Sequence, residues 1–253
     1  MTHSLQTALG LSPAATAGVA SIVLVAALVR GLTGFGFAIL AVPLLGLVIP
    51  PDRAVIVAII MQMLIGPFGV RHTIGVIDRG LVARIAAVAC LTTPAGLWLL
   101  SAVSADAARL MIAGIALACF FGFLADRSKP AATSPASVIA TGASSGVLNG
   151  FAAMPGPPVV LYFVRDAIRP EVARGSMLMI FFATATAGTL TAWWRGMIDT
   201  GTLWLALAAL PIMIAGNHIG SAFFGRIPEK TWRRVVIALL VAAAAGAVLK
   251  LLR

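Results

Sequence analysis

Arg30-Gly-Leu-Thr-Gly-Phe-Gly-Phe37 and Gly146-Val-Leu-Asn-Gly-Phe-Ala-Ala-Met-Pro-Gly-Pro-Pro158 interrupt two apolar runs with the same punctuation. In each case a proline follows the first glycine by 12 positions, Gly31 to Pro43 and Gly146 to Pro158. Glycine and proline at this density stop a helix from running straight through. Whether that break is a loop or a device depends on the solvent around it, and composition supplies the solvent.

Hydrophobic residues make up 60% of the chain and charged residues 10%, against about 25% charged in a soluble domain. Mean hydropathy is +1.05. Runs near 20 apolar residues, such as 81–100 and 235–249, read as spanning helices. The net charge of +10 is no nucleic-acid signature, because the Lys and Arg residues sit in short connections between apolar runs, as in the positive-inside pattern. Cys90 and Cys119 lie inside apolar helices and read as small packing residues. No Lys or Arg precedes the first apolar run, so it lacks a signal peptide's basic region and is expected to be retained.

The apolar segments fall at 13–29, 37–49, 53–69, 80–100, 107–125, 137–149, 159–164, 171–193, 202–224 and 231–252. Residues 126–135 form the one linker-like stretch. The halves match beyond the glycines: Pro51-Asp-Arg-Ala with Pro170-Glu-Val-Ala, Ile77-Asp78 with Ile198-Asp199, and Ala95-Gly96 with Ala215-Gly216. A repeat of about 120 residues suits a duplicated membrane unit. Three parts are expected: a first transmembrane repeat at 1–125, a cytoplasmic linker at 126–135 and a second transmembrane repeat at 136–253.

Charge separates parallel from inverted repeats. Arg53 stands alone in its loop, and the equivalent loop carries Arg165, Arg169 and Arg174. Arg71, Arg79 and Arg84 face a counterpart with Arg195 alone, and Arg109 faces Arg226, Lys230, Arg233 and Arg234. The bias reverses at every equivalent loop. Placing the rich loops and the linker inside gives 12 bases inside and 5 outside, with Arg30 at the first break. The expected fold is an all-α integral membrane protein of two inverted-topology repeats, each a broken, re-entrant helical hairpin plus three transmembrane helices. Both termini then lie outside the inner membrane.

In a bilayer, broken backbone is tolerated where it is buried in protein or lines a cavity. A matched pair of broken segments is the best sequence pointer to a carrier's binding site. Half-helices starting near the midplane aim free N–H groups and a positive dipole end inward, which is a ready anion site. The candidate substrate-binding residues are Arg30, Thr33, Gly34, Phe35, Gly36 and Phe37 from the first break, and Ser144, Ser145, Asn149, Gly150, Met154, Gly156, Pro157 and Pro158 from the second. The competing reading is that these glycines only let helices pack closely. Gln62, Asn217 and His218 are polar within apolar helices and are candidates for a proton relay or pocket wall. Gly142-Ala-Ser144-Ser-Gly146 formally matches a serine-hydrolase elbow, but that motif needs a strand-to-helix turn and this stretch reads as helix. All eight acids lie at loops or helix ends, so no metal site, cofactor site or carboxylate-lined cation path is expected.

At the two breaks the chain resembles the sulfite exporter TauE/SafE family of anion carriers. That family's first half carries G-x-x-G-x-G-G-G followed by P-L, and Gly31-Leu-Thr-Gly34-Phe-Gly36 with Pro43-Leu44 is similar. Its second half carries G-x-x-x-G and then G-G-P-P; Gly146 to Gly150 and Gly156-Pro157-Pro158 are similar. Phe37 and Ala38 stand where glycines are usual, and Pro155 where the first glycine of G-G-P-P is usual. The resemblance implies secondary transport of sulfite or short organosulfonates, with the glycines and prolines of both breaks lining the pathway. Alternating access is then expected as one repeat rocking on the other, in an inner-membrane carrier whose partners are the small anion, the lipid bilayer and a second protomer. The alternatives are an anion channel of the same architecture, a membrane scaffold, or an intramembrane serine hydrolase.

Overall fold

The computed structural model describes residues 11–33, 36–70, 75, 77–125, 134–165, 170–223 and 229–251, and among them every regular element is a helix. There are ten: α1 Pro13–Thr33, α2 Phe37–Val48, α3 Pro51–Val70, α4 Arg79–Ala102, α5 Ala105–Ala125, α6 Pro135–Ala152, α7 Gly156–Arg165, α8 Pro170–Trp194, α9 Thr200–Ala222 and α10 Glu229–Leu251. Among the described residues, α1, α3, α4, α8 and α9 are each long and apolar enough to cross a membrane. α2 is apolar but only 12 residues long, about 18 Å at 1.5 Å per residue, short of a ~30 Å hydrocarbon core.

Local chemistry starts these helices where the sequence matches. Asp78 Oδ1 accepts from Leu81 N at 3.0 Å to open α4, and Asp199 Oδ1 accepts from Thr202 N at 2.5 Å to open α9. Each satisfies one amide that would otherwise lack an acceptor in the first turn. Ser134 and Ser137 cap each other's backbone amides to open α6.

Three packings organise the bundle. α6 lies along α4: a Cβ on Gly142 would meet Ile85 and Val88, one on Gly146 would meet Ala89 and Thr92, and one on Gly150 would meet Thr93 and Leu97. The numbers rise together, so these helices run parallel with backbones in contact. α1 lies along α9 in the same sense, with Gly216 against Leu24 and Ala27 and Gly220 against Leu28 and Gly31. α3 and α8 cross with Ile59 at Gly188 and Gly66 at Phe182. Here one number rises as the other falls, so the pair is antiparallel.

Two expectations change. The first helix does not stop at Val29 but runs through Gly31 to Thr33, and the helix expected at 137–149 runs through Gly146 and Gly150 to Ala152. These glycines are seats for a neighbouring backbone, which the missing Cβ admits; the interruptions come later, before Gly36 and at Ala153. The register shifts with them. Thr33 and Ala152 end their helices, Phe37 and Gly156 start the next, and Pro51 and Pro170 the next, each pair 119 apart. Gly31 therefore pairs with Gly150, and the Gly31–Gly146 match, 115 apart, is one helical turn out.

One end of the bundle, which we call the upper end, gathers the α2–α3, α4–α5 and α8–α9 connections with the end of α10. Arg109 Nε donates to Gly46 O at 2.8 Å, Lys250 Nζ to Leu47 O at 2.8 Å and Arg195 Nη2 to Ser101 Oγ at 3.0 Å. Trp98, Trp193, Trp194 and Trp204 are exposed on the helix turns nearest this end. Such a ring is typical of a headgroup interface. The basic stretches at 71–74, 126–133, 166–169 and 224–228 lie outside the described residues.

Candidate functional site

The two interruptions meet around one small cavity. Arg30 of α1, Gly36, Phe37, Ala38 and Ile39 at the start of α2, Gln62 of α3, Ala153 to Gly156 of the second interruption and Phe181 of α8 line it. Six of these form three matched pairs at the same spacing of 119: Gly36 with Pro155, Phe37 with Gly156, and Gln62 with Phe181. The cavity volume is about 20 Å³, room for little more than one water. In this conformation the site is too narrow for a sulfonate.

The first interruption turns at Gly36, whose φ of 93° is left-handed backbone that favours glycine. The second turns at Ala153, φ 57°, where nothing in the residue type announces it. Neighbours hold Ala153 there. Its N–H bonds to Asn149 O and its carbonyl accepts from Gln62 Nε2 at 3.0 Å. Next along, Ser145 Oγ donates to Pro155 O at 2.7 Å. Gln62 and Ser145 thus shape the second interruption by satisfying buried carbonyls, which are expensive to leave unpaired. Asn149 is also fully buried; its Nδ2 donates to Thr184 O at 2.9 Å, and it stands 119 positions from Arg30, at the same place in the other half.

The two half-helix ends are not equal donors. In α2 the amides of 37–39 precede the first intrahelical bond, Leu40 N to Gly36 O at 3.4 Å, and these three residues line the cavity. In α7 the second and third positions are Pro157 and Pro158, which have no N–H. Its first three positions offer one amide, at Gly156. The cavity is therefore donor-rich on the α2 side, where Arg30 also stands.

Of the residues expected at the site, the structure gathers Arg30, Gly36, Phe37, Gln62, Met154 and Gly156 at the cavity. Gly34 and Phe35 lie outside the described residues, as does the Thr33 side chain. Gly150 lies in the α4–α6 contact. Pro157 and Pro158 sit in the first turn of α7, behind the lining. Ser144 is exposed mid-helix and donates to Ala140 O at 2.6 Å, so the turn that a hydrolase nucleophile requires is not built around it. Asn217 lies in the α1–α9 contact through its carbonyl, and His218 is exposed on the outer face of α9. Ile39, Ala153 and Phe181 were not singled out by sequence, and Ala38 and Pro155 were noted only as departures from the family's glycines. Ala38 and Phe181 carry no polar or backbone signal, whereas Pro155 was detectable from its 119-residue spacing to Gly36.

Above this cavity, a cleft of about 580 Å³ opens at the upper end between Pro50–Ile56, Leu100–Ala108 and Met197–Thr202. Ile56 on its wall stands six residues from Gln62 along α3, about 9 Å. Hydrogen bonds from Thr202, and after them the Arg53 charge, hold the Asp199 carboxyl on this cleft below its ordinary value.

A family model described as "Sulfite exporter TauE/SafE" matches residues 19–247. The chain is 27% identical over 177 residues to the "Probable sulfite/organosulfonate exporter TauE" of Cupriavidus necator, an alignment covering 68% of this chain and 69% of that protein. No solved structure matches the chain.

Proposed function

The chain belongs to the sulfite exporter TauE/SafE family, and on that premise we propose that it is a secondary transporter of a small anion, sulfite or a short organosulfonate, working across the inner membrane by alternating access. The observation that carries this reading is the cavity between the interruptions, where Arg30 and the first turn of α2 stand on one small volume among mostly apolar walls. A half-buried cation and first-turn amides at membrane depth are expensive unless a ligand uses them.

The inverted arrangement belongs to the same proposal. The third helices of the two halves, α3 and α8, cross antiparallel. A two-fold axis along the membrane normal keeps equivalent helices parallel; an axis in the membrane plane reverses them. The boundaries at 125 and 136 follow, with the upper end and both termini outside. The parts that move are then not the two halves. α1 of the first half is sealed onto α9 of the second by backbone contact at Gly31 and Gly220, and α6 onto α4 at Gly96 and Gly150. Alternating access instead rocks the α1–α9 body against the α4–α6 body, parting the interruptions to admit a substrate larger than one water. The upper cleft is the outer vestibule of that path.

Counterflow in proteoliposomes tests the reading. Preloading with an unlabelled sulfonate is expected to accelerate entry of the labelled one, because a carrier returns faster loaded than empty. Flux that neither saturates nor responds to preloading would replace the carrier with a channel.

A further inference from the structure

The cavity carries one formal charge. Arg30 lines it, and no acid does. Along the sequence no acid stands between Arg30 and Asp52, or between Asp126 and Asp166, so neither interruption contributes a carboxylate. On the crossing pair, Asp52 and Glu171 are the acids nearest Gln62 and Phe181, each ten positions away, about 15 Å along the helix, and the cations Arg53 and Arg174 stand nine and seven positions away, about 14 and 10 Å, none of the four lining the cavity. On α9, which packs against α1, the titratable group is His218, and it faces outward. The helix ends add no net charge: α2 and α7 each bring a positive N-terminal end of about half a charge, and α1 and α6 each bring a negative C-terminal end of the same size. Asn149, at the place equivalent to Arg30, is neutral. The sum is the single positive charge of Arg30.

We infer that the site selects substrate by charge state, accepting monoanions, namely sulfonates bearing no second acid and hydrogensulfite, over dianions. This rests on the carrier reading above. A monoanion against Arg30 makes a neutral complex that the bundle can occlude. A dianion leaves one negative charge without a partner in a low-dielectric interior, where uncompensated charge is heavily penalised. The amides of 37–39 supply hydrogen bonds to the oxyanion head in either case, so they orient the substrate without discriminating its charge. Arg30 is the specificity-determining residue.

A pair of similar size separates charge from shape: 2-hydroxyethanesulfonate, a monoanion, and sulfoacetate, a dianion at neutral pH. Saturable flux of each is measured with purified full-length protein in proteoliposomes, together with flux of total sulfite as pH is raised through the ionisation of hydrogensulfite. The monoanion is expected to be preferred by roughly 100-fold in kcat/KM, the order an uncompensated buried charge imposes. Sulfite flux is expected to fall with rising pH in proportion to the hydrogensulfite fraction, while 2-hydroxyethanesulfonate flux stays level. Gln62→Lys, which adds a second cation to the cavity, is expected to narrow the preference at least about tenfold. If that variant does not fold, the pH series on the unaltered protein decides. Equal saturable flux of both sulfonates, or sulfite flux that rises with pH, would overturn charge selection and leave the carrier standing. Absence of saturable flux for every sulfur anion would overturn the carrier reading and this inference with it.

Discussion

Gln62 shows how a polar residue in a membrane helix acquires its task from its neighbours. Read alone, it is a candidate relay or pocket wall; in the bundle its amide holds the Ala153 carbonyl and so fixes the turn that opens the second half-helix. Gln62→Leu leaves that carbonyl buried without its side-chain partner, which costs about 1–3 kcal/mol. A lowered midpoint in a detergent thermal melt checks this. Gly36→Ala and Ala153→Gly are expected to act in opposite directions, although both sit at a helix interruption. The first forces a Cβ into left-handed backbone at about 1–2 kcal/mol, and the second relieves the strain that Ala153 now bears. Ala153 was illegible in the sequence because alanine is a helix former; its conformation comes from Gln62 and Asn149, distant in sequence or hidden in the preceding turn.

At the scale of elements, helix positions were read from apolar runs to within a few residues, because bilayer thickness fixes the length of a span. What could not be read was whether a glycine breaks a helix or seats another one. The absence of a Cβ is the same signal in both cases, and only the partner decides. Gly31, Gly146 and Gly150 proved to be seats. The matched contacts predict matched damage: Gly96→Leu and Gly220→Leu, each driving a side chain into a neighbouring backbone, are expected to cost about 3 kcal/mol or more. Gly114→Leu, with open space where its Cβ would stand, is expected to change stability by less than about 1 kcal/mol. Thermal melts of the three variants make the comparison. The Asp199 cap adds a pH signature. Its carboxyl is held below its ordinary value, so its stabilisation is fully present above the unfolded-state value and fades as pH falls through the lower folded-state one. Asp199→Ala is expected to destabilise by about 1 kcal/mol at neutral pH, with the gap to the unaltered protein closing in acid below about pH 4.

The whole molecule places both interruptions around one cavity, as the repeated glycine and proline punctuation of the sequence led us to expect. The swapped pairing of α1 with α9 and of α6 with α4 was not legible, because a repeat states which segments are equivalent and says nothing of which ones touch. The proposed topology predicts that cysteines introduced at Ser104 and Lys230 are labelled by an impermeant reagent from opposite sides of the membrane. Labelling of both from one side would remove the inverted arrangement. The central claim is that the cavity between the two interruptions is where the anion binds. It is tested most directly by recording sulfonate-evoked current in proteoliposomes of the unaltered protein, Arg30→Gln and Gly156→Leu, with Gly114→Leu as a folded control. The account predicts a saturable current that survives in the control and is lost both when the cavity loses its charge and when leucine fills it beside Phe181. A saturable current undiminished in both cavity variants would contradict it and place the anion elsewhere in the bundle.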